Sequence, residues 1–80
     1  MDDADIVARI TQLAAEEQAL EEAHAGDSMT SAERVKLREL EVALDQCWDL
    51  LRQRRARRNA GLDPDEAEVR PAEIVENYQQ

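Results

Sequence analysis

The stretch LRELEVALDQCWDLL, residues 37–51, decides the fold of this chain. Its apolar residues recur in alternating steps of three and four, which is the heptad spacing of a helix that packs along one narrow face, here called the seam. The stretch contains no Gly or Pro, so it predicts the middle of a long helix. The seam positions are Leu37, Leu40, Leu44, Cys47 and Leu51.

The flanking residues set the bounds of this helix at about residues 31–59. Thr30 is a suitable N-cap, and Glu33 stands three residues later, where its side chain can return a hydrogen bond to the cap. Gly61 provides a stop, and arginines crowd the last turns, where they favour the negative end of the helix dipole. Residues 60–80 then form a tail.

A second heptad pattern precedes this helix and predicts another helix at about residues 3–25. Asp2, Asp3 and Asp5 stand at its start, where carboxylates favour the positive end of the dipole. The stretch HAGDSMT, residues 24–30, breaks the pattern and predicts a short connection between the helices. The seam positions of this first helix are Ile6, Ile10, Leu13, Glu17, Leu20 and His24.

A short connection makes the two helices antiparallel neighbours, and their seams then fall into register within one helical turn. Pairing outward from the connection places Leu20 opposite Leu37, and every later seam residue also finds a seam partner. At the ends, the same rule places Asp3 opposite Arg54 and His24 opposite Glu33. The other pairs are Glu17 with Leu40, Leu13 with Leu44, Ile10 with Cys47 and Ile6 with Leu51.

The composition narrows the class of protein. The 80 residues contain one Cys and one His, too few for an internal disulfide or a zinc site, and the net charge of -9 argues against general binding to nucleic acid or anionic lipid. The chain shows no membrane span and no basic signal peptide. We therefore expect one cytoplasmic domain, residues 1–80, without a metal or a cofactor.

Self-association is the expected way for so small a core to gain stability. Several apolar residues lie off the strict seam and widen the apolar surface, as happens when a hairpin packs against a second copy or its own tail. A dimer that forms a four-helix bundle is the first expectation. The off-seam residues are Val7, Ala14, Val35, Val42, Trp48 and Leu50.

The tail contains two prolines, Pro64 and Pro71, and a predicted short helix from Pro71 to about Tyr78. The first interpretation is that the tail folds back and covers Trp48, a packing anchor rather than a stacking platform for a base. The alternatives are an exposed peptide motif for a partner and a disordered segment. The candidate interface residues are Trp48, Cys47, Leu51, Leu44, Ile74 and Tyr78.

A cluster of arginines ends the second helix, and it has three interpretations. The first is an intramolecular role, because residues 1–28 contain eight acids against one Arg and the antiparallel register lays them beside the cluster. The second is contact with a protein partner, and the third is binding of an anion or a nucleic acid through guanidinium groups. The cluster comprises Arg52, Arg54, Arg55, Arg57 and Arg58.

No residue of the chain predicts catalysis. Cys47 lies in the seam with no cation nearby except Arg54 a turn beyond, and the only His is predicted more than about 20 Å away, near the connection. Glu17 either fixes the register as a buried seam carboxylate or bends toward water, and the second interpretation is favoured. Small helical mutases bind an anionic substrate between inward cations, whereas here the inward positions are mostly Leu and Ile.

Three segments carry a resemblance to a known family: MDDADIVARI (1–10), LEVALDQCWDLLRQRRARRNAG (40–61) and VRPAEIVENYQQ (69–80). The chain resembles a family of short actinobacterial helical proteins of unknown function, which implies no activity, ligand or partner. We therefore expect an all-α hairpin that works as a self-associating interaction or scaffold module and not as an enzyme. The alternative is an anion or nucleic-acid binder that uses the arginine-rich end.

Overall fold

The computed structural model describes residues 1–24 and 28–77, and all regular structure in these residues is helical. Two long helices, α1 (Asp3–Ala23) and α2 (Ser31–Asn59), pack against each other. A 3₁₀ turn (Pro64–Glu66) and a short helix, α3 (Ala72–Asn77), follow and contact α2. The predicted all-α class with two long helices is confirmed. The predicted end of the first helix, Ala25, lies outside the described residues.

Both long helices begin with a capping box. At α1, the Asp5 amide donates to Asp2 Oδ1 at 2.8 Å and the Asp2 amide donates to Asp5 Oδ2 at 3.2 Å. At α2, the Glu33 amide donates to Thr30 Oγ1 at 3.1 Å and the Thr30 amide donates to Glu33 Oε1 at 2.9 Å. Each box satisfies amides that have no partner within the helix, so the sequence fixes both starting points locally.

The seam between α1 and α2 has the register predicted from the sequence. Polar contacts mark it at both ends: Arg54 forms an ion pair with Asp3 at one end, and His24 Nε2 lies against Glu33 Oε2 at the other. Between them lies an apolar core, while the other seam residues are half-buried because the hairpin has open sides. The buried apolar residues of the two helices are Ile6, Ile10, Leu13, Leu40, Leu50 and Leu51.

The end of α2 turns the chain back. Gly61 has a φ of +76°, and the amides of Gly61 and Leu62 donate to the carbonyls of Arg58 and Arg57 at 3.1 and 2.8 Å. This is a Schellman motif, in which a left-handed residue satisfies the last helical carbonyls and reverses the chain direction. The tail then runs along α2 and buries Val75, which is 1% exposed.

The tail therefore folds back, but the prediction that it covers Trp48 is wrong. Trp48 is 45% exposed, because the tail contacts a different face of α2. Tyr78, the predicted end of the tail helix, lies outside the described residues. The molecule measures 49 × 25 × 16 Å. None of the described helices is long and apolar enough to cross a membrane.

Candidate functional site

Arg54 is the innermost arginine of the cluster and belongs to the fold. It is 5% exposed, and its guanidinium donates to Asp3 of α1, to Asp65 Oδ1 at 3.0 Å and to the Pro64 carbonyl at 3.1 Å. These hydrogen bonds join α1, α2 and the tail at one point. Arg54 is therefore engaged by the protein itself.

Two further arginines are also engaged within the chain. Arg58 pairs with Asp3, and Arg57 donates to Glu66 Oε2 and to the Asp63 carbonyl, both at 2.6 Å. The hydrogen bonds from Arg58 and then from Arg54 lower the pKa of Asp3 from 3.8 to about 2. The acids of α1 and of the tail thus neutralise three of the five arginines, which supports the intramolecular interpretation for these three.

Arg52 and Arg55 differ from the other three. Both are exposed, and neither forms an ion pair with any residue in the described part of the chain. They are the last two residues of a row on the outer side of α2. The row begins with two acids, and its residues follow one another in steps of four and three, like those of the seam. We call this row the Trp48 stripe; it comprises Glu41, Asp45, Trp48, Arg52 and Arg55.

The acidic half of the stripe adjoins further acids on α1. Burial, and then the charges of Glu21, Glu41 and Asp45, raise the pKa of the half-buried Glu17. Because all three charges act on Glu17 in the seam, Glu21 lies on the same side of the hairpin as the stripe. Val7, which is 48% exposed, stands two heptads before Glu21 and so shares this side. The face therefore combines exposed apolar groups with an excess of negative charge near the connection.

Sequence reasoning missed the strongest attachment of the tail. Arg70 Nε donates to Asp49 Oδ2 at 2.9 Å, and Nη2 donates to Asp49 Oδ1. Asp49 is 3% exposed, and Gln53 also donates to it at 2.9 Å. The hydrogen bond from Arg70 is the main reason that the pKa of Asp49 is lowered. Arg70 is the only base after residue 58, which is the one sequence signal that could have indicated this pair.

Cys47 lines a cleft on the other side of the seam. The thiol is half-buried, and burial raises its pKa, while the positive charge of Arg9 acts in the opposite direction. The sequence had indicated no cation near Cys47 except Arg54, so Arg9, which approaches from α1, corrects that expectation. His24 lies at the far end of the hairpin against Glu33, which leaves Cys47 without the base that a nucleophile requires.

The other candidate interface residues occupy different environments. Leu51 is buried in the core between the helices, and Leu44 packs partly buried against that core. Ile74 is 46% exposed on α3. Of the six candidates, only Trp48 and Ile74 are thus exposed in the described residues, and Trp48 alone lies within a row of charged groups.

Comparison with known proteins shows relatives without an assigned activity. A family described as "Protein of unknown function (DUF2630)" matches residues 2–80. Uncharacterized proteins of Mycobacterium tuberculosis and of Mycobacterium bovis are each 53% identical to this chain over 77 residues, which cover 95% of this chain and 88% of theirs. No solved structure matches the chain.

Proposed function

Because this chain belongs to the DUF2630 family, whose description assigns no function, we propose from its surface that it is a self-associating interaction module that dimerises through the Trp48 stripe. The observation that carries the proposal is Trp48 itself. A tryptophan that is 45% exposed in the middle of a long helix leaves a large apolar area in water. Such residues dominate the binding energy of many protein interfaces.

The shape of the molecule supports a second layer. The two long helices lie side by side, and the tail packs on α2 away from Trp48, which stays 45% exposed. Stable domains pack at least two layers of secondary structure around a core, whereas this hairpin provides only one. A second copy placed on the Trp48 stripe would provide the missing layer.

The charges of the stripe are self-complementary. Glu41 stands seven residues before Trp48 and Arg55 seven after it, while Asp45 stands three before and Arg52 four after. In an antiparallel pair of α2 helices with a two-fold axis at Trp48, residues equally far from Trp48 face one another. Arg55 of one copy then meets Glu41 of the other, and Arg52 lies one residue from the position that faces Asp45.

The electrostatics of the hairpin favour this pairing. After burial, the charges of Glu21, Glu41 and Asp45 raise the pKa of Glu17, and of these acids Glu41 also lies 3.8 Å from Arg38. Arg52 and Arg55 are the arginines of the cluster without an ion pair in the described residues. A second copy brings these cations to the acids of the stripe and, through the opposed charges, fixes the antiparallel direction.

The alternative function uses the same two arginines. Arg52 and Arg55 could bind an anion or a nucleic acid, and salt separates the two proposals. Phosphate binding weakens steeply as salt rises, whereas an interface centred on Trp48 depends less on salt. If RNA or polyphosphate binds with a steep salt slope and Arg55→Glu abolishes that binding, the anion-binding alternative is correct.

We further propose that residues 1–80 form a single domain that works in the cytoplasm. The Arg54 hydrogen bonds join α1, α2 and the tail, which supports one folding unit. The single cysteine has no second thiol in the chain, as is usual for proteins of a reducing compartment.

Sedimentation equilibrium tests self-association. We expect the wild type to sediment at twice its 9.1 kDa, and Trp48→Ala to weaken the dimer at least about tenfold. Val35→Ala is the matched control, because Val35 is 58% exposed on α2 but lies outside the stripe. A wild type that remains at 9.1 kDa up to about 100 µM, or equal dimer affinities for wild type and Trp48→Ala, would exclude the proposal.

A further inference from the structure

A cleft opens between α1 and α2 on the side of the seam where Arg9 approaches Cys47. It has a volume of about 240 Å³. The short side chains of Ala43, beside the seam, and of Cys47, in the seam, leave this space where larger side chains would have filled it. Leu13 and Leu50 belong to the buried core and form its apolar wall. The cleft is therefore a consequence of small residues on one flank of α2.

Arg9 has the only charged side chain among the residues that line the cleft, and Met1 contributes the N-terminal amino group. Met1 and Val69, both exposed, contribute the apolar rim, and the amide of Gln46 already donates to the Arg70 carbonyl at 3.2 Å. Arg9 is the only Lys or Arg among residues 1–28, and it forms no ion pair with a described residue. An apolar cleft with cationic and no anionic groups in its lining is complementary to a molecule with an apolar body and one negative charge.

We infer that this cleft binds a small amphipathic anion, namely a medium-chain carboxylate whose chain lies against Leu13 and Leu50 and whose carboxylate pairs with Arg9. The size of the cleft sets the length of the chain. At about 30 Å³ for each water-sized group, 240 Å³ holds about eight heavy atoms. The seven-carbon chain of octanoate fits this size with its carboxylate at the rim beside Arg9, whereas a long-chain fatty acid exceeds it.

This binding site is independent of the proposed dimer. The Trp48 stripe and Val7 lie on the side of the hairpin where the charges of Glu21 and Asp45 act on Glu17. The cleft lies on the side where the charge of Arg9 acts on Cys47. Occupation of the cleft therefore leaves the stripe uncovered, and the carboxylate site is open in a monomer and in a dimer alike.

Octanoate titrated into ¹⁵N-labelled protein tests the inference. We expect saturable shifts of the amides that surround the cleft, no such shifts with acetate, and weaker binding of octan-1-ol, which lacks the charge. Arg9→Gln should weaken octanoate binding about three- to fivefold, as an exposed ion pair predicts. Arg34→Gln, which changes an exposed arginine of α2 away from the cleft, is the matched control and should bind like the wild type.

A second variant tests the location directly. Ala43→Leu fills the cleft and should abolish octanoate binding while circular dichroism shows an intact helical fold; if it does not fold, Cys47→Leu serves the same purpose. In the wild type, octanoate should also slow alkylation of Cys47, the only thiol. The inference is wrong if octanoate gives no saturable shifts, if Arg9→Gln binds as the wild type does, or if a folded cleft-filling variant binds equally well.

Discussion

Arg70 forms an ion pair with the buried Asp49. Replacing Arg70 with an uncharged residue should destabilise the protein more than replacing Asp49 with an uncharged residue. In the wild type, two guanidinium nitrogens of Arg70 donate to Asp49, whose side chain is 5% exposed, whereas the Arg70 side chain is 35% exposed. Arg70→Met keeps an apolar stem but leaves the carboxylate with the Gln53 hydrogen bond and the more distant charge of Arg52. Asp49→Asn removes the charge but leaves an arginine that can reach water.

The magnitudes follow from this asymmetry in burial. A fully buried charge that loses its partner costs about 3–5 kcal/mol, and the remaining Gln53 hydrogen bond reduces this for Arg70→Met to about 2–3 kcal/mol. Asp49→Asn should cost about 1 kcal/mol. For a chain of this size, a loss of about 2–3 kcal/mol lowers the melting temperature by roughly 10–20 °C.

The pH dependence provides a second, independent signature. In the wild type, Arg70 lowers the pKa of Asp49, so this contribution to stability is present above the ordinary carboxyl pKa and is lost as the pH falls through the lowered value. In Arg70→Met, burial should instead raise the pKa of Asp49. Relative to the wild type, the variant should therefore regain part of its lost stability as the pH falls from about 7 to 5.

Urea unfolding followed by far-ultraviolet circular dichroism measures both signatures. The double variant that combines Asp49→Asn with Arg70→Met should be more stable than Arg70→Met alone, because it contains no unpaired buried charge. The reasoning is refuted if Arg70→Met unfolds within about 0.5 kcal/mol of the wild type, or if Asp49→Asn costs as much as Arg70→Met.

Three further predictions concern single groups. The pKa of Asp3 lies at about 2 in the fold, below its ordinary 3.8. The contribution of Asp3 to stability is therefore complete above the ordinary value and is lost as the pH falls toward 2. In Asp3→Asn, the midpoints of urea unfolding should lack this part of the pH dependence. Thr30→Ala removes the oxygen that accepts from the Glu33 amide and should cost about 1 kcal/mol by thermal unfolding, while Thr30→Ser should cost only a few tenths, and equal losses would contradict the capping role. Burial raises the pKa of the Cys47 thiol, so iodoacetamide should alkylate the folded protein more slowly than free cysteine at the same pH, and unfolding in urea should remove the difference.

The register of the hairpin could be predicted from the sequence because its determinants are periodic or local. Heptad steps on both helices left few ways to align the seams, and the pairs Asp3 with Arg54 and His24 with Glu33 confirmed the alignment at each end. Caps depend on residues three apart, so Thr30 and Glu33 also indicated the start of α2 correctly. Interactions of this kind depend little on the remainder of the fold.

The path of the tail could not be predicted in the same way. It depends on the left-handed Gly61, which sets the direction in which the chain leaves α2, and on an ion pair between residues 21 positions apart in sequence. Asp49 does not belong to the heptad seam, so no pattern indicates that it is buried. The size of Trp48 suggested that the tail covers it, yet the tail is attached to α2 through Asp49 and Gln53.

The arginine cluster could be predicted only in part. Helical rotation turns Arg54 and Arg58 toward α1, where both meet Asp3, whereas Arg52 and Arg55 lie on the outer side with Trp48. The sequence contained this division, since the outer residues repeat the steps of four and three. Only the arginines of the inner side, Arg54 and Arg58, could therefore meet the acids of α1.

A pair of charge-reversed variants tests self-association through the Trp48 stripe most directly. One variant, Glu41→Lys with Asp45→Lys, has only basic charges beside Trp48; the other, Arg52→Glu with Arg55→Glu, has only acidic charges. Each alone should sediment near 9.1 kDa with the helical content of the wild type, and an equimolar mixture should sediment at twice that mass. A mixture of folded variants that remains monomeric, or single variants that dimerise as tightly as the wild type, would contradict the two-fold interface.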